Sequence, residues 1–127
     1  MSMPKEIVFH HAAIECNTEQ SAELFFITVL GFRKIKHTSL SKEISRAIFG
    51  IESPVSFATY DNGKSRIEVF FRESEKTTYA HLCFQVDDIK DFIARCESQG
   101  LKPFYVEKEG KQLLFVHDFS GNLYEIK

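Results

Sequence analysis

The stretch that decides the fold is HAAIECN at residues 11–17, whose pattern returns as HLCFQVD at residues 81–87. Each copy is a β-prone run that starts with His and ends in a polar residue suited to capping a helix. After each copy, apolar residues recur at helical spacing, over residues 18–30 and 88–99, and a glycine follows. The chain therefore contains an internal repeat.

Three further β-prone segments follow each predicted helix. They cover residues 32–36, 55–60 and 66–71 in the first half, and residues 102–106, 112–117 and 123–126 in the second half. In and just after the stretch 40–50, Ile44, Ala47, Ile48 and Ile51 lie at helical spacing, which favours a short helix capped by Ser39 or Ser41; an irregular strand is the alternative. The sequence predicts an α+β fold of two βαβββ modules, at about 7–72 and 79–127, within one domain spanning 1–127.

Composition excludes several classes of protein. The formal charge is −2 and the basic residues are scattered, so we expect no nucleic-acid partner. No apolar run approaches the roughly 20 residues needed to span a bilayer, and the start of the chain lacks an apolar signal segment. The three cysteines, Cys16, Cys83 and Cys96, show no CxxC spacing, which predicts reduced thiols. We therefore expect a cytoplasmic protein that binds no membrane.

Strand alternation places candidate metal ligands on matching faces. Four predicted strands each have one apolar face, which a helix should cover, and one mixed face with a His or a Glu near its middle. These residues are His11, Glu68, His81 and Glu125. Imidazoles and carboxylates bind zinc, nickel, cobalt, manganese or iron, and a divalent cation would cancel the charges of the two glutamates. Taken singly, each His would be a hydrogen-bonded structural residue and each Glu a solvated one.

Other residues on these mixed faces are candidates for contact with a substrate. They are Glu15, Phe70, Arg72 and Cys83. For Arg72, binding of an anion and an ordinary ion pair on a strand are equally compatible with the sequence. Cys83 is also typical of a small buried hydrophobe. His10 falls on the opposite face from His11, which indicates a structural or exposed residue.

The ordered set of motifs resembles the glyoxalase-like, or vicinal oxygen chelate, superfamily. The motifs carrying this resemblance are His11, Phe25-Phe26, Leu30-Gly31-Phe32, Ile67-Glu68-Val69, Ala80-His81-Leu82, Gly100 and the segment 118–126. The resemblance implies paired modules that form an incomplete, cup-shaped barrel around one divalent metal ion. It also implies His11, Glu68, His81 and Glu125 as its ligands, a pattern most similar to glyoxalase I (lactoylglutathione lyase).

The activity implied by this resemblance is that of a metal-dependent lyase or isomerase. Such an enzyme acts on a small α-oxo or α-hydroxy compound through a metal-stabilised enediolate, with Glu125 or Glu68 as the base. Relatives are commonly homodimers, and the cup can be completed within one chain or across a dimer. The alternative is a non-catalytic small-molecule-binding or resistance protein of the same fold; bleomycin-resistance relatives lack the metal set. Ring-cleaving dioxygenases generally have fewer metal ligands and longer chains.

Two positions depart from the glyoxalase I pattern. That family usually has Arg four residues after the first ligand, where this chain has Glu15. It often has Asn four residues after the second ligand, where this chain has Arg72. Both family residues help to hold glutathione, so the two substitutions argue against a glutathione conjugate as the substrate.

Overall fold

The computed structural model describes residues 3–127 and contains two four-stranded sheets and three α-helices. The first sheet consists of β1 (Ala12–Cys16), β2 (Arg33–Leu40), β3 (Val55–Asp61) and β4 (Arg66–Phe71). The second sheet consists of β5 (His81–Phe84), β6 (Phe104–Lys108), β7 (Lys111–His117) and β8 (Leu123–Ile126). The helices are α1 (Glu19–Glu23), which continues as a π-helical segment (Leu24–Val29), α2 (Lys42–Phe49) and α3 (Ile89–Ser98).

The two sheets have the same topology. Their strand orders are β1-β4-β3-β2 and β5-β8-β7-β6. In each sheet the first strand pairs in parallel with the last, and the remaining pairs are antiparallel. This repetition confirms the predicted α+β fold of two βαβββ modules.

Side-chain caps start the helices where the sequence predicts them. The Thr18 hydroxyl accepts a hydrogen bond from the Ser21 amide, and the Asp88 carboxylate accepts one from the Asp91 amide. Ser41 caps α2 by accepting from the amide of Ile44, so the short helix is confirmed. Gly50 ends that helix with a φ of 74°, a conformation that glycine adopts without strain.

The π-helical segment joins the two modules into one core. Phe25 and Phe26 are neighbours in sequence and both are 0% exposed. Their rings nevertheless contact different sheets. Phe25 stacks on Tyr124 of the second sheet at 4.6 Å between ring centroids, and Phe26 stacks on Tyr60 of the first at 5.2 Å. One hydrophobic cluster therefore contains residues of both sheets and of the helices between them.

The first strand is shorter than the alternation suggests. The sequence places Val8 on its apolar face, but residues 3–11 adopt no regular structure and Val8 is 71% exposed. The reason is that β4 begins at Arg66 and its ladder with β1 begins at the pair Ala12 and Ile67, so earlier residues have no strand to pair with. His11 consequently lies just before β1.

Within residues 3–127, no helix has the length and apolar character needed to cross a membrane.

Candidate metal-binding site

The first module brings one predicted His and one predicted Glu together. His11 Nε2 lies 3.4 Å from Glu68 Oε1, and both side chains are partly exposed. The parallel ladder between β1 and β4 causes this approach, because Ala13 is the partner of Glu68 and His11 lies two residues before Ala13. We call His11 and Glu68 the first half-site.

The second module repeats that register. Cys83 is the partner of Glu125 in the ladder between β5 and β8, and His81 lies two residues before Cys83. We call His81 and Glu125 the second half-site. Among residues 3–127, only the first half-site has its imidazole and carboxylate within ion-pair distance.

Both histidines use the same ring nitrogen for a hydrogen bond. The Nδ1 atom of His81 lies 2.9 Å from the carbonyl oxygen of Tyr79, so Nδ1–H donates and Nε2 keeps its lone pair. The Nδ1 atom of His11 lies 2.8 Å from Nδ1 of His10. Histidine metal ligands characteristically bind through one nitrogen while the other donates to a protein acceptor. His81 therefore leaves Nε2 available to a metal, whereas Nε2 of His11 faces the Glu68 carboxylate.

A single chain does not bring the four predicted ligands together. The apolar faces of the two sheets share one core, and the half-sites lie on the opposite faces, which point away from that core. Accordingly, residues 3–127 contain no group of three or more His, Cys, Asp or Glu side chains placed to hold one metal ion. Each chain carries two separate pairs of donors.

A cavity of about 670 Å³ lies between the modules and contains most of the predicted substrate-binding residues. Its lining includes Glu15, Phe70, Arg72, His81 and Leu123. Cys83 is not part of this lining. It is exposed beside Glu125, and its pKa is raised by partial burial and by the charge of that carboxylate.

Glu15 and Arg72 form an ion pair. Arg72 Nη1 donates to Glu15 Oε2 at 3.0 Å. The pairing follows from the parallel ladder, because Glu15 and Phe70 are partners and the amide of Arg72 donates to the carbonyl of Cys16. The two departures from the glyoxalase I pattern are thus in contact with each other.

Asp118 holds the turn before β8 through several hydrogen bonds, a role that the sequence analysis did not assign. Its buried carboxylate accepts hydrogen bonds from the amides of Ser120 and Asn122, from the Asn122 side chain at 3.0 Å and from the Tyr124 hydroxyl at 2.7 Å. The Asn122 side chain also donates to the carbonyl of Glu15 at 2.8 Å. Burial, together with the Asp118 charge, raises the pKa of Tyr124 well above its ordinary value. The sequence Asp-x-Ser-Gly-Asn at residues 118–122 is the feature from which this hydrogen-bond network could have been predicted.

Comparisons with known proteins agree with this architecture. The family profile described as the glyoxalase/bleomycin resistance protein/dioxygenase superfamily matches residues 10–115. No sequence among curated proteins matches the chain.

Several solved structures share the fold. A glyoxalase family protein from Enterococcus faecalis is 23% identical, with a TM-score of 0.71 and coverage of 96% of each chain. One from Bacillus cereus is 19% identical, with a TM-score of 0.72 and coverage of 98% of this chain and 97% of that one. A variant of the fosfomycin resistance protein FosX from Listeria monocytogenes, complexed with Mn(II) and 1S,2S-dihydroxypropylphosphonic acid, is 14% identical, with a TM-score of 0.69 and coverage of 98% and 90%. With a family match over residues 10–115 and the same fold in these proteins, this chain belongs to the glyoxalase/bleomycin resistance protein/dioxygenase superfamily.

Proposed function

We propose that this protein is a metal-dependent lyase or isomerase of the glyoxalase I-like type, and that two chains of a homodimer complete each metal site. The observation that carries the proposal is the repeated register. In each module a Glu pairs with the residue two positions after a His, and both half-sites lie on sheet faces that point away from the shared core. The first half-site of one chain would therefore meet the second half-site of its partner.

The donor set suits a divalent cation. Two half-sites supply two imidazole nitrogens and two carboxylates, so a bound divalent ion would give a centre that is neutral overall. In the second half-site the Tyr79 carbonyl engages Nδ1 of His81 and leaves Nε2 for a metal, and in the first half-site Nε2 of His11 already faces the carboxylate of Glu68. The binding of Mn(II) by the FosX variant supports a divalent ion here.

Apolar residues beside both half-sites support association of two chains. Ile7, Val8 and Phe9 precede His11 and are largely exposed, and Tyr79 near His81 is 100% exposed. Exposed apolar side chains grouped in this way are typical of a surface that another protein covers. A twofold dimer would bring a first and a second half-site together at two equivalent places.

The proposed reaction begins with proton removal next to a carbonyl or hydroxyl group of a small substrate. A bound metal would supply Lewis acidity toward adjacent substrate oxygens. Glu68 and Glu125 are the carboxylates positioned to take and return the proton. The cavity between the modules borders His81 and is lined largely by apolar side chains, so it would hold the substrate out of bulk water.

Mixing two variants tests the shared site directly. His11→Ala and His81→Ala each remove one ligand from every site in their own homodimers. When the two variants are unfolded together and refolded, random pairing makes half of the dimers mixed. Each mixed dimer has one site with both histidines, so we expect about one quarter of the wild-type metal content and activity to return.

The controls for this experiment are the two variants refolded separately, which should stay without metal. Recovery in the mixture would support the dimeric site, whereas its absence would contradict it. Solvent deuterium exchange into α-hydroxy aldehydes and ketones then distinguishes an enzyme from a binding protein, because only an enzyme exchanges the substrate proton.

A further inference from the structure

We infer that His10 is a positioning residue that holds the imidazole of His11 with Nε2 toward the metal. This inference rests on the proposed metal site and assigns a role to a residue outside the ligand set. The observation behind it is the contact between the Nδ1 atoms of the two adjacent rings, which are 2.8 Å apart. The rings meet edge to face, with centroids 5.0 Å apart and an interplanar angle of 81°.

The chemistry of imidazole decides which ring donates. Two nitrogens 2.8 Å apart share one hydrogen, so one Nδ1 must be the donor and the other the acceptor. A metal bound at Nε2 of His11 takes the lone pair there, and the neutral ring then carries its proton on Nδ1. His11 is therefore the donor in the metal-bound state and His10 is the acceptor.

The second module supplies an internal comparison. There, Nδ1 of His81 donates to the carbonyl of Tyr79, and Ala80 stands at the position that corresponds to His10. The turn before His81 is held in part by a hydrogen bond from the Ala80 amide to the Thr78 hydroxyl. The segment before His11 forms no regular structure, and a side chain replaces the backbone carbonyl as the acceptor.

His10 has little to do with packing of the fold. Its side chain is exposed, it lies outside the hydrophobic core, and its one side-chain hydrogen bond within the described part of the chain goes to His11. Replacing it should therefore change metal binding without unfolding the protein.

Two substitutions separate the acceptor from the bulk of the ring. In His10→Asn the amide oxygen can accept from His11 at a position close to that of Nδ1, whereas His10→Phe keeps a ring without an acceptor. His117→Phe is the matched control, because His117 is also exposed and contacts an aromatic ring, that of Phe104.

Calorimetric titration of the full-length protein with Zn²⁺ is the first measurement. We expect His10→Phe to lose about 10- to 100-fold in affinity, the range found for partners of metal-binding histidines. His10→Asn and His117→Phe should stay near the wild-type value, and the thermal midpoint of metal-free His10→Phe should be unchanged. The second measurement is proton–nitrogen correlation NMR of the zinc-loaded proteins. In the wild type and in His10→Asn, the Nδ1 proton of His11 should exchange slowly with solvent. In His10→Phe the same proton should exchange rapidly.

Each result has a separate meaning. If wild-type protein binds no Zn²⁺, the proposed metal site is wrong and this inference falls with it. If the wild type binds but His10→Phe binds equally well, or His10→Asn is as weak as His10→Phe, only the role of His10 is wrong. Lowered thermal stability of metal-free His10→Phe would assign His10 to the fold and overturn the inference as well.

Discussion

The guanidinium of Arg72 lies 3.0 Å from the carboxylate of Glu15, and this ion pair joins the ends of the parallel strands β1 and β4. Each residue alone departs from the glyoxalase I pattern in a way that changes the charge of the cavity. Together their charges cancel, and each side chain is the ion-pair partner of the other. Neither is therefore free to hold a carboxylate of glutathione.

The first prediction concerns glutathione. We expect the hemithioacetal of methylglyoxal and glutathione to be a poor substrate, because Glu15 repels its carboxylates and occupies the guanidinium of Arg72. Glu15→Gln should release Arg72 and tighten binding of anionic ligands by roughly fivefold, the equivalent of about 1 kcal/mol for a partly exposed pair. Lactoylglutathione formation followed by absorbance is the assay. Efficient turnover by the wild type would contradict this view of the cavity.

The second prediction concerns the charges of the ligands. Glu68→Gln and Glu125→Gln should each weaken metal affinity by more than the 10- to 100-fold typical of residues behind the ligands, since a negative charge next to the cation is lost. The two losses should be similar, because every site in the proposed dimer would take one residue of each kind. Glu107→Gln, on the exposed strand β6, is the control for a change of overall charge. Unchanged affinity in both ligand variants by calorimetry would rule the assignment out.

The third prediction concerns the shared core. Phe25→Ala should lower the free energy of unfolding by about 3–5 kcal/mol, because a buried ring stacked on Tyr124 is removed. Phe104→Ala removes a ring that is partly exposed on β6 and should cost much less. Urea unfolding followed by circular dichroism gives both values. Separate transitions for the two modules in the wild type would be inconsistent with one core.

The fourth prediction is a pH dependence. Burial, with the charge of Asp118 as the next cause, raises the pKa of the Cys16 thiol from 9.0 to about 12. The unfolded chain loses this proton at lower pH than the folded chain, so the stabilisation is complete below pH 9 and is lost as pH rises toward 12. The slope from this group is at most about 1.4 kcal/mol per pH unit.

Urea unfolding between pH 8 and pH 11 measures that slope. Cys16→Ala should flatten it, whereas Cys83→Ala should change it little, because the Cys83 side chain is exposed in the folded protein. Equal slopes in the wild type and Cys16→Ala would show that the buried thiol does not contribute.

The strands and helices were predictable because each follows from local spacing. The sequence shows apolar residues at helical spacing before Gly31 and Gly100, and it shows the capping residues Thr18, Ser41 and Asp88. The repeat also predicted the equivalent topology of the two sheets.

The arrangement of the modules was not predictable in the same way. The helical spacing places the adjacent Phe25 and Phe26 on the buried face, but it does not show that this segment is π-helical or that each ring stacks on a different sheet. Strand alternation gives the face of His11 and of His81, but the direction in which each face points depends on how the two sheets pack. The contact of Glu15 with Arg72 also depends on the parallel pairing of strands that are far apart in the chain.

The end of β1 is anchored by residues of the closing turn, and this has a consequence for synthesis of the protein. The amide of Asn17 donates to Ser120 at 2.8 Å, and Asn122 donates to the carbonyl of Glu15. These anchors lie more than a hundred residues later, so they are still untranslated when the N-terminal half leaves the ribosome. Until residues 118–124 have been synthesised, Phe25 has no Tyr124 ring to stack on, so the apolar face of the first sheet lacks one of the partners that bury it in the finished protein.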